Sequence, residues 1–422
     1  MKIMDSVLEN CLIPVNGKLK KSAISIKNGK IFSFEKENFS KIIDCNQNVL
    51  LPGLIDVHVH FRVPGGEQKE DWVTGSKAAA HGGITTVFDM PNTNPPTVSR
   101  EALEAKKTIA LKDSIIRPRF HFGATKNNLE EAIQLNGINS IKIYMGSSTG
   151  DLLLDEELYW IKWFELAKQN DWVIVVHAEH EQSMKSNAQK FSQNNVSIHN
   201  KIRSEEVEAI AIEKALKLQQ KIGNKLHIAH LSSKAGLELV KEAKQNSQNV
   251  SCEAAPHHLF LDESYLEKLG NFGKMNPPLR TKQDVKALWK GVNNGVVDCI
   301  ATDHAPHTIQ EKQQPYFLAP SGVPGVETML PLLLDEVNKE NIELNKIVEL
   351  CSYNPSKIFS LHDAGSIQIG NFADFALIDL NASQTISAQQ NFSKCGWTPF
   401  EGRKVQGKVE KTIVNGVIVY GA

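Results

Sequence analysis

Cysteine is sparse in this chain and carries no pattern. Cys11, Cys45, Cys252, Cys299, Cys351 and Cys395 are scattered, with no Cys-x-x-Cys spacing. A disulfide framework is not expected on this pattern, and a reducing, cytoplasmic setting is. Charge of one sign is not in excess either. Lysine and arginine number 47 against 48 aspartates and glutamates, a formal net charge of -1, which gives no general attraction to nucleic acid or an anionic membrane. No run approaches the ~20 apolar residues that span a bilayer. The opening Met1-Lys2-Ile3-Met4-Asp5 lacks the apolar core of a signal peptide. Low-complexity tracts and short-period repeats are also missing. What is present is a soluble globular composition, 41% hydrophobic and 23% charged over 422 residues. That is enough for one large domain with an appendage, or for two to three ordinary domains.

Both ends read as strands. Ala23-Ile24-Ser25-Ile26-Lys27 and Ile31-Phe32-Ser33-Phe34 alternate with period two around Asn28-Gly29, a hairpin signal. Phe375 to Leu380 and the pair flanking Asn415-Gly416 do the same near the C-terminus. The reading is a small β-sandwich domain made of residues 1–50 and 364–422, beside a central domain of residues 51–363. The centre is α/β. Its first strand is read from the apolar run Val49-Leu50-Leu51-Pro52-Gly53-Leu54 onward to His60, as a buried parallel strand. Further strands are expected at 84–89, 119–123, 140–145, 172–177, 225–230, 250–254 and 297–303. Helices are expected near 69–82, 99–112, 127–136, 155–169, 203–221, 233–245 and 282–293, with more over 326–361. Eight β/α alternations predict a TIM-like (β/α)8 barrel rather than an open doubly wound sheet.

Polar residues fall at the ends of these strands. His58 and His60, one residue apart on one strand face, close the first. His177 closes the fifth, His230 the sixth and Asp303 the eighth. In such a barrel the C-terminal strand ends converge on one mouth, where the active site lies. Four imidazoles and a carboxylate gathered there suit metal binding. Lys142 lies inside the fourth strand, between Ile141 and Ile143. A lone ammonium in an apolar barrel is costly to bury. It must be paired, deprotonated, turned outward or modified. Near a metal cluster a neutral lysine can take up carbon dioxide and become a carbamate able to bridge two cations. Spacing alone leaves these alternatives open.

Six stretches carry a resemblance. They are Asp56-Val57-His58-Val59-His60-Phe61-Arg62 with Pro64-Gly65-Gly66, Asp89-Met90-Pro91-Asn92-Thr93-Asn94-Pro95, Lys142-Ile143-Tyr144, His177-Ala178-Glu179, Ala254-Ala255-Pro256-His257-His258-Leu259, and Ala301-Thr302-Asp303-His304-Ala305-Pro306-His307. With them the whole chain resembles the dihydroorotases of the amidohydrolase superfamily, in the longer branch with terminal β-segments. The resemblance implies a distorted (β/α)8 barrel and a reversible cyclisation of N-carbamoyl-L-aspartate to L-dihydroorotate in pyrimidine biosynthesis. It implies two zinc ions, one on His58, His60 and Asp303, the other on His177 and His230, with N6-carboxylated Lys142 and a hydroxide bridging them. Asp303 would shuttle the proton. Some members use an aspartate a few residues after the lysine position. Asp151 stands near that place and is read as a helix N-terminal residue, with Lys142 as the bridge. Ala229 occupies the place where some members have a cysteine tied to a third zinc, so none is expected here.

The same resemblance assigns the substrate contacts. Arg62, Asn92 and His307 would bind the substrate carboxylate, Arg62 bidentately. His60 also borders the substrate, and Asn276 and Gly322 would touch the pyrimidine ring. The small-residue loop 146–150 is a candidate lid, with Ser148 and Thr149 as hypothetical contacts. His257, His258 and His304 are read as supporting residues, and His81, His121, His180, His199, His227 and His362 as ordinary. A homodimer is expected, with an aspartate transcarbamoylase as a candidate partner. Hydantoinases, dihydropyrimidinases and allantoinases share the metal ligands, so Arg62 and the Pro91-Asn92-Thr93 turn must discriminate. A non-catalytic scaffold that binds the transcarbamoylase is the rival from another class. It would have lost metal ligands that this chain keeps.

Overall fold

The computed structural model describes residues 5–15 and 17–421. Met1 to Met4, the start of the stretch read for a missing signal peptide, lie outside the described residues. Both Asn-Gly turns form. Asn28 and Gly29 have φ of 53° and 74°, and Asn415 and Gly416 have 53° and 72°. Two left-handed residues in succession are what a tight hairpin matching the strand twist requires. The two turns are tied through Ala373, which donates to Gly29 O and accepts from Gly416 N, both at 2.9 Å. The ends of the chain thus meet. Ser6–Val15, Lys18–Lys27, Lys30–Ser33, Lys41–Asp44 and Val49–Pro52 join Phe375–Thr385, Lys404–Val414 and Val417–Tyr420 in one eight-stranded sheet. Leu8, Ile24, Ile26, Leu50, Phe375 and Ile413 are among its buried residues.

The centre is a ring of parallel strands alternating with helices. In order the strands are Leu54–Val59, Ile84–Asp89, Arg117–Phe120 with Phe122–Gly123, Ser140–Tyr144, Val173–His177, Lys225–Ile228, Val250–Ala254 and Cys299–Ile300. The ring closes where Val59 bridges His304 in parallel and His60 N donates to His304 O at 2.8 Å. Among the described residues no helix is long and apolar enough to cross a membrane.

Three details differ from the sequence reading. The run 49–54 is two strands. Val49–Pro52 pairs antiparallel with Phe375–Ile378 of the terminal sheet, and the barrel begins only at Leu54. Gly53 permits the change of direction: its N–H donates to Asp374 O at 2.8 Å, and an added Cβ would lie 2.2 Å from Thr85 Oγ1. The third strand is interrupted at His121, whose buried ring contacts Val57 O at 2.9 Å and Ser140 Oγ at 2.6 Å across the barrel interior. Finally, Asp151 starts no helix. It is exposed, and the next helix is Glu157–Gln169 with Glu156 at its N-cap.

A buried ion pair holds the tips of the first two strands together. Lys106, on helix Arg100–Asp113, pairs with Asp89, and its Nζ also donates to Met90 O at 2.8 Å. The other Asp89 oxygen accepts from Phe61 N at 2.7 Å, between His60 and Arg62. Removing one partner of a buried pair strands a charge without compensation. Lys106→Met is therefore expected to lower stability by about 3–5 kcal/mol in urea unfolding. A loss below about 1 kcal/mol would contradict this account of the strand tips.

Candidate metal centre and substrate pocket

Strands of the barrel and the loops that follow them deliver side chains to one pocket. It is lined by His58, His60, Arg62, Asn92, Lys142, Tyr144, Ser148, Thr149, His177, His230, Asn276, Asp303, Ala305, Ser321 and Gly322. Of the residues expected to bind metal or substrate, only His307 is outside this lining, and it contacts Arg62 from behind. Arg62, His230 and Asp303 have φ of 65°, 35° and 47°. Left-handed backbone is unfavourable for such residues and persists only where surrounding structure enforces it, commonly at functional sites. Here it falls two or three residues past the end of the strand, and all three residues line the pocket.

His58, His60 and Asp303 form a group able to hold a metal ion, with one ligand atom from each lying within 4.8 Å of the others. The Nε2 atoms of His58 and His60 are 3.3 and 3.1 Å from the same Asp303 oxygen. Neighbouring ligand atoms on one tetrahedral zinc are roughly 3.3 Å apart, given the usual bond lengths. On the other side of the pocket His177 Nδ1 faces His230 Nε2 at 2.9 Å. Burial lowers the pKa of all four imidazoles. They are held neutral, the form that offers a metal a lone pair.

The outer nitrogens fix which lone pair points inward. His58 Nδ1 donates to Glu253 Oε1, His60 Nδ1 to Asn92 Oδ1 at 2.7 Å, and His177 Nε2 to Glu179 Oε2 at 2.8 Å. Glu253 also accepts from His227 Nε2 at 3.0 Å and from the backbone N–H of His230 at 3.0 Å. One carboxylate on the seventh strand therefore holds both His58 and His230, and His227, read as ordinary, supports it. Burial alone would raise the Glu179 carboxyl, but Arg203 and His177 hold it down to about 2. Asp303 shifts the other way. Burial raises its pKa, opposed by His58 and Lys142.

Lys142 points into the pocket and is 1% exposed. Its Nζ has no hydrogen-bond partner among the described residues. The paired and outward-facing alternatives are thus gone. Burial lowers its pKa to about 8, opposed by Glu253 and Asp303. An orphaned, easily neutralised amine between two groups of neutral imidazoles fits a carbamate between two cations. Asp151, exposed and outside the pocket lining, has no access to that position. Tyr144 was not singled out from sequence. Its buried hydroxyl also lacks a partner among the described residues, and the residue lines the pocket. The available signal was its place two residues after Lys142, on the same strand face.

The rim is partly self-bonded. Arg62, 7% exposed, donates through Nε to Pro306 O at 3.2 Å and makes no ion pair among the described residues. Its Nη2 lies 3.2 Å from His307 Nε2. That nitrogen is also 3.0 Å from Ser321 O, while Lys69 Nζ is 3.3 Å from His307 Nδ1. The tautomer that satisfies both has Nε2–H donating to Ser321 O, so Arg62 gains no acceptor from His307. Asn92 Nδ2 donates to Thr149 O at 2.8 Å, and Thr149 Oγ1 reaches Ser321 O at 3.3 Å. Loop 146–150 therefore lies across the pocket. Asn276 donates to Ser148 Oγ at 3.3 Å and accepts from His199 Nε2 at 2.9 Å, a support that the sequence reading missed.

Residues 49–419 match the model of the amidohydrolase family. A dihydroorotase of Methanosarcina mazei is 40% identical over 414 residues, covering 94% of this chain and 90% of the relative. One from Pyrococcus abyssi is 40% identical over 409 residues, covering 96% and 92%. Among solved structures, an L-hydantoinase (dihydropyrimidinase) from Arthrobacter aurescens superposes with a TM-score of 0.94 at 29% identity, covering 99% of this chain and 96% of that one.

The Glu253 arrangement has a measurable consequence. Glu253→Gln keeps the shape but withdraws the carboxylate that orients His58. Zinc affinity, read by competition with a chelator, is expected to fall roughly 10–100-fold, as when such outer partners of metal-binding histidines are removed. An unchanged affinity would mean that Glu253 is a packing residue.

Proposed function

The chain belongs to the amidohydrolase family, in its dihydroorotase group, and we propose from that premise that it interconverts L-dihydroorotate and N-carbamoyl-L-aspartate. The observation that carries this reading is Arg62, a buried guanidinium without an ion-pair partner among the described residues, set two residues beyond His60 at the pocket. A buried cation lacking an anion is costly unless a ligand supplies one. Dihydroorotate brings a carboxylate beside the amide that is broken. A hydantoin or dihydropyrimidine without that group would leave Arg62 unpaired.

His58, His60 and Asp303 would hold one zinc and His177 and His230 a second, with carboxylated Lys142 between them. Bound zinc supplies a water acidic enough to attack near neutral pH and polarises the amide carbonyl. The remaining steps belong to the protein's own side chains. Arg62 grips the substrate carboxylate through two parallel N–H bonds. Asn92 and His307 join it once they release Thr149 O and Ser321 O, so substrate entry is coupled to movement of loop 146–150. Tyr144 keeps a free hydroxyl to donate to a substrate oxygen. Asp303 takes the proton from the attacking water and delivers it to the ring nitrogen as the amide opens. Ring closure runs the same path backwards. The reading further carries a cytoplasmic homodimer, with an aspartate transcarbamoylase as candidate partner.

Arg62→Met is expected to lower kcat/KM for dihydroorotate by at least roughly 100-fold, the scale for stranding one partner of a desolvated charge pair. Elemental analysis should still find two zinc ions per chain. Undiminished turnover by that variant would sink the substrate assignment. Absence of zinc from the unaltered enzyme would sink the metal assignment. Native mass spectrometry of the zinc-loaded protein should show the added mass of one carbon dioxide, lost in Lys142→Ala.

A further inference from the structure

Two more cations lie buried behind the ring-facing wall of the pocket, and the reaction as described uses neither. Lys312 closes the short helix Ile309–Lys312, five residues after His307, and is 1% exposed. Its Nζ donates to Lys274 O, Pro320 O and Gly322 O, each at 3.0 Å. An ammonium has three N–H groups, and all three are spent on backbone carbonyls. Among the described residues no carboxylate pairs with it, and Pro320 O and Gly322 O have no other donor. Lys274 O is shared, since Gly322 N also donates to it at 2.9 Å. Lys274 repeats the device, its Nζ donating to Tyr316 O at 2.7 Å and Ala319 O at 2.6 Å.

The bonded segments are the ones that present Asn276 and Gly322 to the pocket. Residues 313–322 contain no helix or strand to satisfy their own carbonyls, and a buried carbonyl without a donor is expensive. Gly322 has φ of 139°, and a Cβ there would meet Ala305 O at 2.4 Å, so the loop also runs close to the strand-eight tip. We propose that Lys312 is a positioning residue for substrate, its ammonium clamping segments 274–276 and 320–322 at a fixed separation on the ring-facing wall. Three converging carbonyls suit a tripod of N–H groups, whereas the planar fork of an arginine cannot reach all three. The inference rests on the reading of the pocket as a dihydroorotate site.

Lys312→Met keeps length and removes every donor. KM for dihydroorotate should rise about ten-fold or more, with kcat within about three-fold and zinc content unchanged, the pattern of lost ground-state positioning. In Lys312→Ala, ethylammonium should restore KM saturably, and tetramethylammonium, equally charged but without N–H, should not. Rescue by both ions, or a KM within about two-fold of the original in Lys312→Met, overturns the proposal. If those variants do not fold, Lys312→Arg decides: raised KM with the melting temperature kept supports the clamp, and unchanged KM refutes it. Amide hydrogen exchange at Gly322 gives a reading independent of turnover. Faster exchange in the variants supports the clamp even if the unaltered chain fails to open dihydroorotate, and unchanged exchange refutes it.

Discussion

An imidazole can offer a lone pair in a chosen direction only if its other nitrogen is held as a donor. The pocket is built around that requirement. Glu253, Asn92 and Glu179 each accept from the outer nitrogen of one histidine, leaving His58, His60 and His177 with inward lone pairs. Burial keeps the rings neutral, and the acceptors keep them oriented. Both effects depend on the barrel, because the acceptors come from the second, fifth and seventh strands and their loops. A site of this kind cannot be assembled from one local segment.

The same geometry explains Lys142. In a site with a nearby acid it would be an ordinary ion pair. Glu253 and Asp303 are present, yet each is turned toward histidines and not toward the amine. The amine is left buried, partnerless and weakly basic. An amine in that state is open to modification. That is why the carbamate, undecidable from spacing, gains physical support from structure.

Overall shape does not distinguish ring substrates, since a hydantoinase shares this architecture closely. The distinction lies at the rim, where a few polar groups have unspent or exchangeable bonds. Arg62 lacks an anion. Asn92 and His307 are bonded to carbonyls of loops 146–150 and 320–322, which a substrate carboxylate would displace. On a shared scaffold, such exchangeable bonds at the rim are where the chemistry of one ring substrate can be told from another.

By itself the sequence determined the alternation of eight strands with helices, the meeting of the two ends, and the residue types at each strand end. Those features follow from local rules: periodicity of apolar residues, Asn-Gly turns, and polar residues where strands stop. It could not place the break at Gly53, since an apolar run has no mark showing where it changes sheets. Nor could it show that His121 interrupts the third strand or that Asp151 is exposed ahead of its helix. The partners of Glu253, the orphaned state of Lys142 and Tyr144, and the triple carbonyl bond of Lys312 were equally illegible. Each depends on groups that lie apart in the chain, from eight residues for Lys312 and Pro320 to 195 for His58 and Glu253. Only closure of the barrel brings them within hydrogen-bonding range, and only then is it fixed which polar atoms are satisfied and which remain free for chemistry.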